Sequence, residues 1–227
     1  MRRPLLKKKE NMNIIQKTLP GNQYVQERTA KSQIVLHHTA SGPGIDGDWN
    51  WWKSTAERVA THFIIDREGQ VWQLFPEENW AWHLGLSNAH FAKYGLAWRN
   101  LDRQSIGIEL DSWGPVTRDT DGKFYPAGMK GRARAVENVH EYCRSNPFKG
   151  HVFWEAYTDR QLMSLRELLH ELTRRHGIPR SYNSSMWAVM PDALRGRSGI
   201  FTHCSYRADK LDCHPQPQLV NVLKTIG

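Results

Sequence analysis

Apolar positions fall into short runs through the first half of this chain and into a helical rhythm in the second. Residues 33–36 form a short, largely apolar run that ends in His37, His38 and Thr39, which predicts a buried strand delivering histidines at its end. The string THFIIDREGQVWQLF holds two β-rich runs joined by Arg67, Glu68 and Gly69, and predicts a hairpin with glycine at the turn. SIGIEL, residues 105–110, predicts a further short apolar strand carrying one acid, Glu109, and a second hairpin is expected around Asp121 and Gly122. A glycine-rich loop over 41–47 leads to Trp49, Trp51 and Trp52, with a short helix expected after them. Further on, Leu162, Leu165, Leu168, Leu169 and Leu172 recur close to every 3.6 residues, which predicts a helix over 159–176 with Thr158 as N-cap and Gly177 as its stop. A helix over 129–144, a last strand at GIFTHC and a short amphipathic helix from Pro217 onward complete the set. Strands alternating with helices imply an α/β fold, a central mixed β-sheet flanked by helices.

Residues 1–30 break these rhythms. They are polar and basic, with Pro20 and Gly21 and no sustained period, and read as a basic N-terminal arm; order is expected from near Ser32, with one domain over 31–227. Arg2, Arg3, Lys7, Lys8 and Lys9 crowd the first ten residues as a solvated run. Over the whole chain 31 basic residues outnumber 23 acidic ones, a net charge of +8, so the expected electrostatic partner is a polyanion. Nucleic acid and an anionic cell wall both qualify on charge, but no nucleic-acid-binding motif is present, so none is expected as partner. No run approaches the ~18 apolar residues of a membrane span, and the basic start does not lead into a secretory-signal stretch. Synthesis in the cytoplasm without a signal peptide is expected, and a monomer. Three cysteines, Cys143, Cys204 and Cys213, are too few and odd in number for a disulfide framework.

The candidate chemistry lies at strand ends. His37 and His203 each close a predicted strand, and Lys210, Asp212, Cys213 and His214 follow His203 closely. A catalytic zinc takes three nitrogen, sulfur or carboxylate ligands and leaves one position for water, a need this set can meet; ordinary core or surface histidines remain the plain alternative. Glu109 lies inside an apolar strand, where an unpaired carboxylate is costly to bury, so it calls for a salt-bridge partner, a solvent-facing edge or a proton-transfer role.

The ordered strings IVLHHTA, THFIIDREGQVWQL, WAWHLG, SIGIEL, YTDRQLMSLRELL and THCSYRADKLDC resemble the type 2 N-acetylmuramoyl-L-alanine amidase family. That family includes phage lysozyme-type amidases, bacterial anhydro-muropeptide amidases and animal peptidoglycan recognition proteins. The resemblance implies a Zn2+ site made of His37, with His38 as the alternative, His203, and either Asp212 or Cys213. It implies Glu109 as general base, Lys210 as oxyanion stabiliser and His83 as a cleft residue contacting substrate. His62 would support the site, and Thr61 stands where some phage relatives carry a catalytic tyrosine, which favours the glutamate as base. Trp49, Trp51 and Trp52 could stack on sugar faces or serve packing.

The implied activity is hydrolysis of the amide between N-acetylmuramic acid and L-alanine in peptidoglycan, in an endolysin-like role that reaches the wall once the membrane is breached. A cytoplasmic muropeptide-recycling amidase and a non-catalytic peptidoglycan-recognition module are the alternatives; loss of a zinc ligand would mark the module. Stem-peptide preference is expected to lie in the loops at 41–52 and 181–199.

Overall fold

The computed structural model describes residues 12–227, so the basic run at 2–9 lies outside the described residues. Two sheets organise the fold. The larger has six strands: β1 (Ile14–Gln16), β2 (Gln33–His38), β3 (Phe63–Ile65), β4 (Val71–Gln73), β5 (Ser105–Leu110) and β10 (Gly199–Thr202), in the order β1-β4-β3-β5-β2-β10. Between β5 and the long helix the chain builds a second sheet from β6 (Pro115–Arg118), β7 (Phe124–Pro126), β8 (Val139–Glu141) and β9 (Phe153–Glu155), in the order β7-β6-β9-β8. The helices are α1 (Asp46–Ser54), α2 (Asn88–Ala92), α3 (Asp159–His176), α4 (Pro191–Leu194) and α5 (Pro217–Thr225). The larger sheet is mixed: β3, β5, β2 and β10 run parallel, and β4 lies antiparallel to β3 as the predicted hairpin requires.

Strand alternation divides the core in two. Phe63 and Ile65 face α3, whose Leu162, Leu165, Leu168, Leu169 and Leu172 are all at most 3% exposed. Each such leucine contributes about 2 kcal/mol of apolar burial. Ile64 points the other way, into a smaller cluster with Trp52, Leu74, Phe75, Leu19 and Tyr24. The helix α3 starts and stops where its sequence says: Thr158 Oγ1 accepts from Gln161 N, the Gln161 side chain answers with a bond from Thr158 N, and Gly177 adopts φ 65° at the C-cap.

Three expectations are corrected. Order does not wait for Ser32: within 12–30, β1 adds a parallel edge strand to β4, and Leu19 and Tyr24 are buried. Two isolated apolar residues in an irregular strap carry no period, so the segment read as an arm. The helix over 129–144 is absent; this stretch is turns followed by β8, with Val136 bridged to Phe124. Its alanines, arginines and glutamates suit a helix, but its apolar residues are not spaced to make a buried stripe, and pairing with β9 prevails over propensity. The tryptophans do not precede a helix but lie within α1, where Trp52 is buried and Trp51 is 55% exposed.

Candidate active site

The parallel register of β2 and β5 sets His37 directly beside Glu109, with both side chains on one face at the C-terminal end of the sheet. His203 follows β10, the neighbour of β2, and the loop after it returns Lys210 and Asp212 to the same place. That loop is held from within: Cys204 N donates to Asp212 O at 3.2 Å and Cys204 Sγ to Lys210 O at 3.2 Å.

Three atoms converge: His37 Nδ1 and His203 Nδ1 lie 3.1 Å apart, and Asp212 Oδ2 is 2.9 Å from each. Among the described residues these three form the group able to hold a metal ion. Cys213 is not part of it; its Sγ donates instead to the backbone carbonyl of His37 at 3.1 Å, on the other side of the chain. His38 points to the opposite face of β2, with Nδ1 3.3 Å from the Tyr157 hydroxyl. Both alternatives to the triad therefore face elsewhere.

The donor set tests its own fit. His203 Nε2 lies 3.0 Å from the Leu84 carbonyl, which can only accept, so the ring proton sits on Nε2 and Nδ1 presents a lone pair. His37 Nε2 is engaged by His83 Nδ1 at 3.0 Å, again leaving His37 Nδ1 to face inward. Two imidazole lone pairs and a carboxylate oxygen, all about 3 Å apart, repel unless a cation lies among them. Burial, followed by the charge of His203, lowers the pKa of His37 from 6.5 to about 4, which keeps its ring neutral as a ligand must be. Against the cost of burial, His203 and His37 hold Asp212 well below the usual carboxylate range.

Glu109 is 8% exposed, and among the described residues its Oε2 has no hydrogen-bond partner. Burial, then the charges of Asp212 and Asp48, raises its pKa well above the ordinary carboxylate value, with Lys210 opposing. His37, His83, Glu109, His203, Lys210 and Asp212 all line one cleft of about 660 Å³. Trp52, Val59 and Thr61 stand along it, and so do Trp113, Pro115, Pro126 and Met129, which come from the second sheet and its approaches. Thr61 Oγ1 bonds Phe63 O at 3.3 Å and carries no acid–base group. His62 braces the sheet, accepting from Gly107 N at 3.1 Å and meeting Asn79 O at 3.0 Å.

Sequence reading missed Ser105, which meets His83 Nε2 at 2.8 Å, and Asp102, which is 1% exposed beneath His83. A signal for the first exists: in SIGIEL the period of two puts Ser105, Gly107 and Glu109 on one face and the three aliphatics on the other. It missed the second-sheet wall as well, because that sheet was read partly as helix.

Comparison with known proteins converges on one family. The model of the family described as N-acetylmuramoyl-L-alanine amidase matches residues 27–217. The chain is 33% identical over 91 residues to N-acetylmuramoyl-L-alanine amidase AmiD of Escherichia coli (strain K12), a match spanning 36% of this chain and only 28% of that protein. Among solved structures, PlyL superposes with a TM-score of 0.53 at 15% identity, covering 95% of this chain and 99% of its own. A mutant endolysin from Bacillus subtilis gives 0.51 at 18% identity over 96% and 100% of the two chains. Staphylococcus aureus hydrolase AmiA gives 0.52 at 12% identity over 93% and 80%. At these identities the structural likenesses establish the shared fold.

Proposed function

The chain belongs to the N-acetylmuramoyl-L-alanine amidase family, and from that premise we propose that it is a zinc hydrolase cutting the amide between the lactyl group of N-acetylmuramic acid and L-alanine in peptidoglycan. The observation that carries this reading is the convergence of His37, His203 and Asp212 beside a buried, unpartnered carboxylate in one cleft. Two imidazoles and a carboxylate suit zinc, which when bound would supply a Lewis acid for the attacked carbonyl and acidify a water.

The remaining work belongs to the chain's own residues. Glu109, its Oε2 without a hydrogen-bond partner among the described residues, takes a proton from the attacking water as the new C–O bond forms. Its raised pKa lets it hold that proton and then deliver it to the alanine nitrogen as the C–N bond breaks. Lys210 presents a positive charge to the oxyanion that develops on the lactyl carbonyl. His83 lines the cleft but is 8% exposed and turned to His37, which suits support of that ligand better than a hold on substrate. The products are a stem peptide with a free alanine amine and a glycan strand.

For biological role we favour lysis of intact wall, as an endolysin acts, because a net charge of +8 suits an anionic polymer more than small soluble fragments. Among the described residues no helix is long and apolar enough to cross a membrane.

The test is mass spectrometry of peptides released from purified sacculi and from soluble muropeptides by zinc-loaded, chelator-treated and zinc-restored protein. Zinc-restorable release, faster from sacculi, is expected. Glu109→Gln should lower turnover by about 10²- to 10⁴-fold while retaining zinc. Wall binding without release by folded, zinc-loaded protein would replace this reading with a recognition module.

A further inference from the structure

The two candidate ligand histidines are oriented by one buried device behind them. Asp102 opens the short helical turn before β5 and is 1% exposed. Its Oδ1 accepts two successive amides, His83 N at 2.7 Å and Leu84 N at 2.9 Å. Each of those residues then serves a different histidine of the triad. The His83 ring meets His37 Nε2, and the Leu84 carbonyl meets His203 Nε2, both at 3.0 Å.

The direction of the protons follows from the groups at the far end. Ser105 Oγ donates toward the Asp102 carbonyl at 3.5 Å and so accepts from His83 Nε2–H at 2.8 Å. The Asp102 carboxylate, 3.8 Å from His83 Nε2, favours the proton on that nitrogen as well. His83 Nδ1 is left as an acceptor, so His37 must donate from Nε2 and keep Nδ1 bare toward the triad. Gly107 completes the fit, because a Cβ there would stand 3.2 Å from His83 Nδ1 and 2.8 Å from Thr61 Cγ2.

We propose that Asp102, Ser105 and His83 are positioning residues for a bound metal ion: through His83 and Leu84 they set both ligand histidines as Nε2–H tautomers with Nδ1 facing the cation. This rests on the metal-site reading above and assigns a role to residues that touch neither metal nor substrate. Outer partners of this kind change metal affinity by about 10- to 100-fold when removed.

The experiment uses the full chain without substrate. Zinc affinity is measured by chelator competition for wild type, Ser105→Ala, His83→Ala and Asp102→Asn, and the ring tautomers of His37 and His203 are read by 15N NMR in the metal-free proteins. Asp102→Asn is chosen over alanine because it retains an oxygen acceptor for the two amides while removing the charge. Ser105→Ala is expected to weaken zinc about 10- to 100-fold and to mix the tautomers of His37 while leaving His203 as it was, a split that general loosening would not produce. Unchanged zinc affinity and unchanged His37 tautomer in folded Ser105→Ala would overturn the proposal, and so would Nδ1-protonated His37 in wild type. Failure of hydrolysis alone would not touch it, since neither readout uses turnover; wild type that binds no zinc would remove the metal reading, and the tautomers would still test the relay.

Discussion

At the C-terminal ends of β2 and β5, the triad that meets in the cleft is backed by a buried partner: His37 by His83, His203 by Leu84 O, Asp212 by the Cys204-bound loop. The opposite wall, residues 113–156, is built from strands of three or four residues and buries few large apolar groups, chiefly Trp154, Val116 and Val136. It is fixed to the rest by the Trp154 and Tyr142 contacts to His214 and by a charged seam. Arg67, at the tip of the first hairpin, forks onto Glu155 at 2.7 and 2.8 Å, pairs with Asp111 and donates to Ser41 O at 3.1 Å. Glu155 in turn accepts from Trp113 N at 2.6 Å, and Asp111 from Gly44 N at 2.9 Å. The triad is thus held by a buried hydrogen-bond relay that ends on the Asp102 carboxylate, while the wall across the cleft also carries a buried ion network, where removing one partner has large consequences.

Cutting that seam is the strongest way to separate the two regions. Arg67→Met leaves Asp111 and Glu155 buried without their cation and is expected to cost about 3–5 kcal/mol in urea unfolding. Zinc affinity of the surviving folded protein should stay within about threefold of wild type while KM rises, because the triad's own backing is intact. A parallel collapse of zinc affinity would show that wall and triad are one unit.

The same contrast explains what the sequence disclosed. The triad was legible because strand ends, a histidine after each strand and a returning loop leave local marks, and motif order narrowed the rest. Between Asp212 and Cys213 spacing could not choose; the structure brings Asp212 to the two histidines and turns the Cys213 thiol onto His37 O. Of the second sheet the β6–β7 hairpin around Asp121 and Gly122 was legible, but the β8–β9 half was not, because its register is set by distant partners: β8 pairs with β9 across more than ten residues, and Trp154 packs on the ring of His214 at 4.8 Å. The strap at 12–30 failed to show itself for a related reason, its order coming from β4 and the smaller core.

A pH experiment sharpens the comparison on the triad side. Lys31 Nζ donates to Asn79 O at 2.8 Å and Arg103 O at 2.9 Å, tying the start of β2 to the segment that carries Asp102. Burial lowers its pKa from 10.5 to about 7, outweighing Asp102 and Glu78. Between pH 7 and 10.5 the unfolded chain therefore binds the proton that the folded chain gives up, so this group makes stability rise with pH, and its cost is fully present below 7. From pH 7 to 9 the gain is about 2–3 kcal/mol, at roughly 1.4 kcal/mol per unit. Urea midpoints of wild type and Lys31→Met at the two pH values should show the rise in wild type and its loss in the variant; equal slopes would remove Lys31 as the cause.

The smallest effect is expected where the second sheet hands the chain to α3. Thr158 Oγ1 donates to Arg67 O at 2.8 Å and accepts from Gln161 N at 3.1 Å, while Gln161 Nε2 bonds Ile65 O at 3.1 Å and Asp111 O at 3.0 Å. One cap therefore starts the helix and steadies the backbone of the residue that forms the seam. Thr158→Ala should cost about 1 kcal/mol, and Thr158→Ser, which keeps the hydroxyl, much less. The informative quantity is the coupling with Arg67→Met. If the cap acts on the seam through Arg67 O, the double variant loses less than the sum of the single losses, because the orientation that Thr158 enforces has no remaining use. Strict additivity would confine Thr158 to its helix and leave the ion network independent of the cap.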